Sequence, residues 1–93
     1  MSLHPDVQRF ATLLRKIESL LSEHGEVHWA AKIVACLSSV ERSDAHGLNR
    51  FLSFFGGMGS LNDVVLSRDN DMLRAALSQA WELGNSLARD EKQ

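Results

Sequence analysis

The sequence holds a single cysteine, Cys36, which rules out an intrachain disulfide. A lone thiol among Val34, Ala35 and Leu37 suits a buried position and a reducing compartment. Positive charge is not in surplus: 10 Lys and Arg stand against 12 Asp and Glu, a net charge of -2. The basic residues are scattered from Arg9 to Lys92. Nucleic-acid binding draws on a clustered positive field, so it is not expected. No stretch approaches the roughly 18 apolar residues of a membrane span. The opening MSLHPDVQRF lacks a basic start followed by an apolar run, so no secretory signal is expected and the cytoplasm is the expected compartment. Val64, Val65 and Leu66 form the one short run with strand character, and no second such run exists to pair with it. Internal repeats, low-complexity tracts and linkers are missing as well.

What is present is an ordinary globular composition, 44% hydrophobic and 24% charged, over 93 residues. That length makes a single helical domain, 1–93. A chain of this size buries roughly 60 to 65% of its extended-chain surface, so pairing with another copy would help it. Val7, Phe10, Leu14, Ile17 and Leu21 alternate spacings of three and four, with Leu13 and Leu20 widening the stripe. This predicts an amphipathic helix over 5–24. Pro5 suits its first turn, Asp6 the positive end of its dipole, and Gly25 a left-handed stop after His24. Trp29, Ala30, Ile33, Cys36, Leu37 and Val40 predict a second helix over 26–40, antiparallel to the first because the turn is short. A third is expected over 43–55, capped by Ser43, with Leu48, Phe51, Leu52 and Phe55 facing inward and Gly56 and Gly57 ending it. The last is expected over 70–89, capped by Asn70, with Met72, Leu73, Ala76, Leu77, Ala80, Trp81, Leu83 and Leu87 as its apolar positions. Gly84 lies inside that helix, where it would let a neighbour approach closely. The predicted fold is all-α: a four-helix bundle with a short extra helical turn after a Gly-rich bend, the bend and turn occupying 56–67.

The bend reads FFGGMGSLNDVVLS, with three of the six glycines within four positions. A phosphate-binding P-loop needs a Lys and a preceding strand, and neither is there. Gly57, Met58 and Gly59 supply the start of a dinucleotide fingerprint, but Asn62 stands where its third Gly belongs. The structural reading is a helix stop at Gly56 and Gly57, a bend completed by Gly59, and a restart capped by Ser60 with Asp63 at the third helical position. His24 and His28 are four apart, yet Gly25 interrupts any helix between them, and with no obvious third ligand no metal site is assigned, although Glu23 and Glu26 are near. Cys36 on an apolar face is a poor nucleophile, Ser60 has no His nearby in sequence, and Asp69 and Asp71 have a capping role at a helix start. Repeated Glu-x-x-His motifs of a di-iron bundle are absent. No catalytic residue, cofactor or enzymatic activity is expected. Trp29 and Trp81 fit either core packing or a contact rim, with Trp81 the more exposed candidate between polar neighbours Gln79 and Glu82.

GEVHWA and FGGMGSLNDVVL together resemble a family of small uncharacterised bacterial proteins. Its members carry a G-E-x-x-W-A segment, here Gly25, Glu26, Trp29 and Ala30. They also carry an F-G-G-M-G-S-L-N-D signature, here Phe55, Gly56, Gly57, Met58, Gly59, Ser60, Leu61, Asn62 and Asp63. The resemblance spans roughly residues 14 to 80. Small cytoplasmic helical proteins of this kind are similar to immunity proteins that protect bacteria from a toxin. What the resemblance implies is a non-enzymatic interaction domain that occludes a cognate toxin, with Glu26, Asn62, Asp63 and Trp81 as candidate contacts. Asn62 and Asp63 suit equally well a scaffold role, bonding the Gly-rich backbone. The alternative function is a small-molecule-binding or regulatory helical domain, which needs a concave apolar pocket near the glycines.

Overall fold

The apolar stripes of the sequence resolve into four helices in the computed structural model, which describes residues 5–42, 45–55, 61, 64–66 and 68–91. Helix α1 spans Pro5–Glu23, α2 Val27–Glu41, α3 Ala45–Ser53 and α4 Asn70–Glu91. The architecture is an all-α helical bundle, with no strand among the described residues. The main packing is of α1 on α2 and α4, and of α3 on α2 and α4. This closed circuit buries one core rather than a layer on each side.

Every helix contributes to that core. Phe10, Ala11, Leu14, Ile17, Leu20 and Leu21 come from α1, and Ala30, Ile33, Cys36 and Val40 from α2. Leu48 and Phe51 come from α3, and Leu73, Ala76, Leu77 and Ala80 from α4. Phe51 is the aromatic hub. Its ring lies edge-on to Phe10 at 5.3 Å, Phe55 at 5.2 Å and Phe54 at 6.5 Å between centroids. Edge-to-face pairing sets the positive rim of one ring against the negative face of another, adding to what burial alone gives. Across the molecule, Arg15 on α1 pairs with Glu41 at the end of α2.

The turn between α1 and α2 follows from Gly25, whose φ is +80°. Its N–H donates to the Ser22 carbonyl at 3.2 Å, and the Glu26 N–H reaches the Leu21 carbonyl at 2.8 Å. These two bonds are the Schellman closure, which satisfies carbonyls that α1 would otherwise leave bare. The Glu26 carbonyl then accepts from the Ala30 N–H at 2.9 Å, so α2 starts as soon as α1 has stopped.

Three expectations change. Helix α3 ends at Ser53, before the glycines. Its last bonds tighten to i→i+3, from the Phe54 N–H to the Phe51 carbonyl at 3.0 Å and from Phe55 to Leu52 at 3.3 Å. The expected stop at Gly56 and Gly57, the Ser43 cap and the turn begun by Ser60 lie outside the described residues. Leu61 has no exposed surface and donates to the Phe54 carbonyl at 2.9 Å, while the Val64 N–H bonds Leu61 at 3.2 Å. Residues 64–66 then run irregularly, with Val64 and Leu66 buried and Val65 exposed.

The second change is the start of α4. Asn70 does not cap it: the Asn70 Oδ1 turns back to accept from the Leu66 N–H at 3.0 Å, and the Asp69 carbonyl takes the first helical bond from Leu73 at 3.1 Å. Asp69 holds a φ of +61°, the one positive value among the described non-glycine residues. Asp tolerates this left-handed region better than most side chains. Third, Met72, expected on the apolar face of α4, is exposed. At 100° per residue it falls on one flank of the buried stripe, opposite Trp81 on the other flank.

Candidate functional site

The bundle's order fixes where each candidate side chain can act. His24 at the end of α1 meets Asp69 at the start of α4, and Phe10 lies beside Gly84 further along, so α1 and α4 run antiparallel. Glu26 sits at the first of these levels. It is half-buried, and its side chain makes no capping bond to α2. Trp81 lies about 18 Å further along α4, twelve residues beyond Asp69 at 1.5 Å each. The structure therefore does not bring Glu26 and Trp81 together at one point.

Trp81 is 45% exposed, a large aromatic surface on a helix whose other apolar positions mostly face inward. The Asn85 Nδ2 donates to its backbone carbonyl at 3.0 Å. Trp29, the second tryptophan, is tied down instead. Its ring stands edge-on to Phe54 at 5.4 Å, and the Lys32 Nζ lies 4.7 Å from its centroid. It is half-buried against the core, so its exposed edge and the Lys32 ammonium form a smaller aromatic and cationic rim.

Asn62, Asp63, Gly56, Gly57, Met58, Gly59 and Ser60 lie outside the described residues. Of the signature, Leu61 is described, and it is a core residue. Cys36 is fully buried, and burial pushes its thiol up to about 11, against the smaller lowering effect of the Arg50 charge. A neutral buried thiol packs as a small hydrophobe.

One convergence has no counterpart in the sequence pattern. His24 does not associate with His28, which points outward near Trp29. The His24 Nε2 lies instead 3.2 Å from the Asp69 Oδ2, with the His24 side chain only 9% exposed. Glu23 joins them: one potential ligand atom from each of Glu23, His24 and Asp69 falls within 4.8 Å of the others. A pairing across 45 positions leaves no local sequence signal. What was visible is that both partners adjoin helix ends, which a bundle brings together when successive helices run antiparallel.

Among the described residues, no helix is long and apolar enough to cross a membrane. Neither the curated proteins nor the solved structures offer a match to the chain. A family model does match, over residues 22–74, from the last turn of α1 to the first turns of α4. That window holds the Gly25 turn, all of α2 and α3, and the Gly-rich signature. As it covers more than half of the chain, the protein belongs to the family described as a domain of unknown function, DUF6966.

Proposed function

We propose that this chain is a protein-binding module, and that its partner is a cognate bacterial toxin which it occludes. The observation that carries the binding reading is Trp81. Tryptophan is the side chain most often found to anchor protein contacts, because its large rigid face is desolvated at little entropic loss. Leaving 45% of it in water on a short helical domain has no packing benefit. The exposed Val65 and Met72 add apolar surface elsewhere on the bundle. The toxin as partner rests on the resemblance carried by GEVHWA and FGGMGSLND, and occlusion needs no chemistry from the inhibitor itself.

The test is co-purification with the product of the adjacent gene, followed by a binding titration. A complex at micromolar concentration or tighter, weakened at least tenfold by Trp81→Ala with an unchanged melting temperature, is expected. No complex at micromolar concentration overturns the toxin reading, and full affinity in Trp81→Ala overturns the anchor. Asn62→Ala and Asp63→Ala separate contact from scaffold. Weakened binding at constant melting temperature marks a contact, and a lowered melting temperature marks a brace for the bend.

A further inference from the structure

We infer that Glu23, His24 and Asp69 form a binding site for a divalent transition metal of the zinc class, at the junction of α1 and α4. The His24 Nε2 and Asp69 Oδ2 are 3.2 Å apart. Two ligands about 2.0–2.1 Å from a tetrahedral Zn²⁺ stand roughly 3.3 Å from each other, so this pair already has the separation that the ion requires. The Glu23 carboxylate lies within 4.8 Å of both and is exposed, so a rotamer adjustment brings it to the third position. The imidazole is held in place by burial, as expected of a ligand that must not reorganise on binding.

Charge points the same way. Neither carboxylate pairs with Lys or Arg among the described residues, and Arg68, the nearest base in sequence, is exposed without an ion pair to either. The last turn of α1 carries no basic residue, so Glu23 sits at the negative end of the helix dipole uncompensated. A dication there answers Glu23 and the C-terminus of α1, whereas Asp69 already adjoins the positive end of α4. The ligand set chooses the metal. One imidazole with two carboxylates suits Zn²⁺ and its neighbours, whereas Ca²⁺ and Mg²⁺ demand more oxygen ligands than three side chains provide. Three protein ligands leave the fourth position to water. The ion would link the end of α1 directly to the start of α4.

The experiment uses the full chain, stripped with chelator and titrated with Zn²⁺ by calorimetry, with the melting temperature read in parallel. One ion per chain and a raised melting temperature are expected, with no such response to Ca²⁺ or Mg²⁺. Co²⁺ in place of Zn²⁺ should give the visible absorption of a tetrahedral site. Glu23→Gln changes an exposed carboxylate, and Asp69→Asn keeps a side chain that tolerates the left-handed backbone. Each should weaken binding at least tenfold while the helical circular dichroism stays that of the parent. The absence of Zn²⁺ binding at micromolar ion overturns the proposal. So does undiminished binding in the Glu23→Gln, Asp69→Asn double variant, which would place the ion on the other histidines. An equal response to Ca²⁺ overturns the assigned metal class.

Discussion

Replacing Gly47 with Ala should destabilise this protein although it puts a better helix former into α3. Gly47 is buried where α3 crosses α2. A Cβ built there meets the Cys36 carbonyl oxygen at 2.7 Å, the Ser39 Cβ at 2.7 Å and the Val40 backbone nitrogen at 3.1 Å. Backbone atoms inside α2 cannot step aside individually, because they belong to its hydrogen-bond ladder. Relief to an ordinary separation of about 3.4–3.7 Å needs the two helices to part by roughly 0.7–1 Å. That parting would loosen Leu48 and Phe51, the core residues of α3. Overpacking of this sort costs about 1–3 kcal/mol or more, against a propensity gain of about 1 kcal/mol for Ala over Gly. Contacts at 2.7 Å put this site in the upper part of that range, so the net loss should be about 1–2 kcal/mol, a fall in melting temperature of roughly 4–16 °C for a domain of this size.

Two other glycines serve as controls for the same measurement. At Gly84 the added Cβ meets only side-chain ends, the Leu52 Cδ2 at 3.1 Å and the Leu48 Cδ1 and Phe10 Cε1 at 3.4 Å. Those atoms can give way, so the propensity gain of up to about 1 kcal/mol offsets the crowding and Gly84→Ala should melt near the parent. At Gly25 there is nothing within 4 Å, but the φ of +80° remains. Gly25→Ala should therefore lose about 1–2 kcal/mol through the backbone alone. Urea and thermal unfolding of the three variants should give Gly84→Ala as the most stable of them. A Gly47→Ala protein that melts at or above the parent, or a Gly84→Ala protein that falls equally far, refutes the steric argument.

Cys36, whose thiol burial pushes up to about 11, should resist alkylation in the native state and react at once in denaturant. Its folded value lies above the ordinary thiol value of 9.0, so its contribution to stability is complete below pH 9 and is lost as pH rises through 9 towards 11. Cys36→Ala should lack that alkaline component, which a comparison of the two unfolding free energies across this window would detect. The Arg15–Glu41 pair is half-exposed at both ends, so a double-mutant cycle to Ala should return a coupling of about 0.2–1 kcal/mol that shrinks in high salt. A coupling above about 2 kcal/mol would mean that the pair is shielded from water far more than its exposure implies.

How far the sequence is legible depends on the range of the interaction. Spacing alone places Phe10, Leu14, Ile17 and Leu21 in the core, because one helix face is a local property of the chain. The Gly25 turn is equally local: a left-handed residue and two backbone bonds close it without help from elsewhere. Trp81 and Met72 show where locality ends. Both match the periodicity of α4, yet they fall on the flanks of its stripe, and only the positions of α1 and α3 decide how much of each is covered. Asn70 departs from expectation for a related reason. Its side chain suits an N-cap, but the left-handed Asp69 makes the preceding residue the cap and frees Asn70 to bond the Leu66 N–H. The junction of Glu23, His24 and Asp69 and the close approach at Gly47 are wholly tertiary, so no window of sequence contains them.

The family match makes the same point about what must fold together. Its window, 22–74, leaves out six buried side chains of α1, from Phe10 to Leu21, and three of α4, Ala76, Leu77 and Ala80. Among the residues inside it, Phe51 packs on Phe10, which lies outside. The fragment 22–74 keeps two whole helices but not the two that close the circuit. Burying a large apolar side chain contributes about 1.5–3 kcal/mol, while a whole small domain is stable by only about 5–15 kcal/mol. Loss of Phe10, Leu14, Ile17, Leu21 and Leu77 alone removes about 7.5–15 kcal/mol, as much as that whole margin. The excised fragment should therefore show far less helical circular dichroism than the full chain and no cooperative melting transition. Cooperative unfolding of the fragment would mean that α2, α3 and the Gly-rich bend hold a core of their own, and the single shared core described above would be wrong.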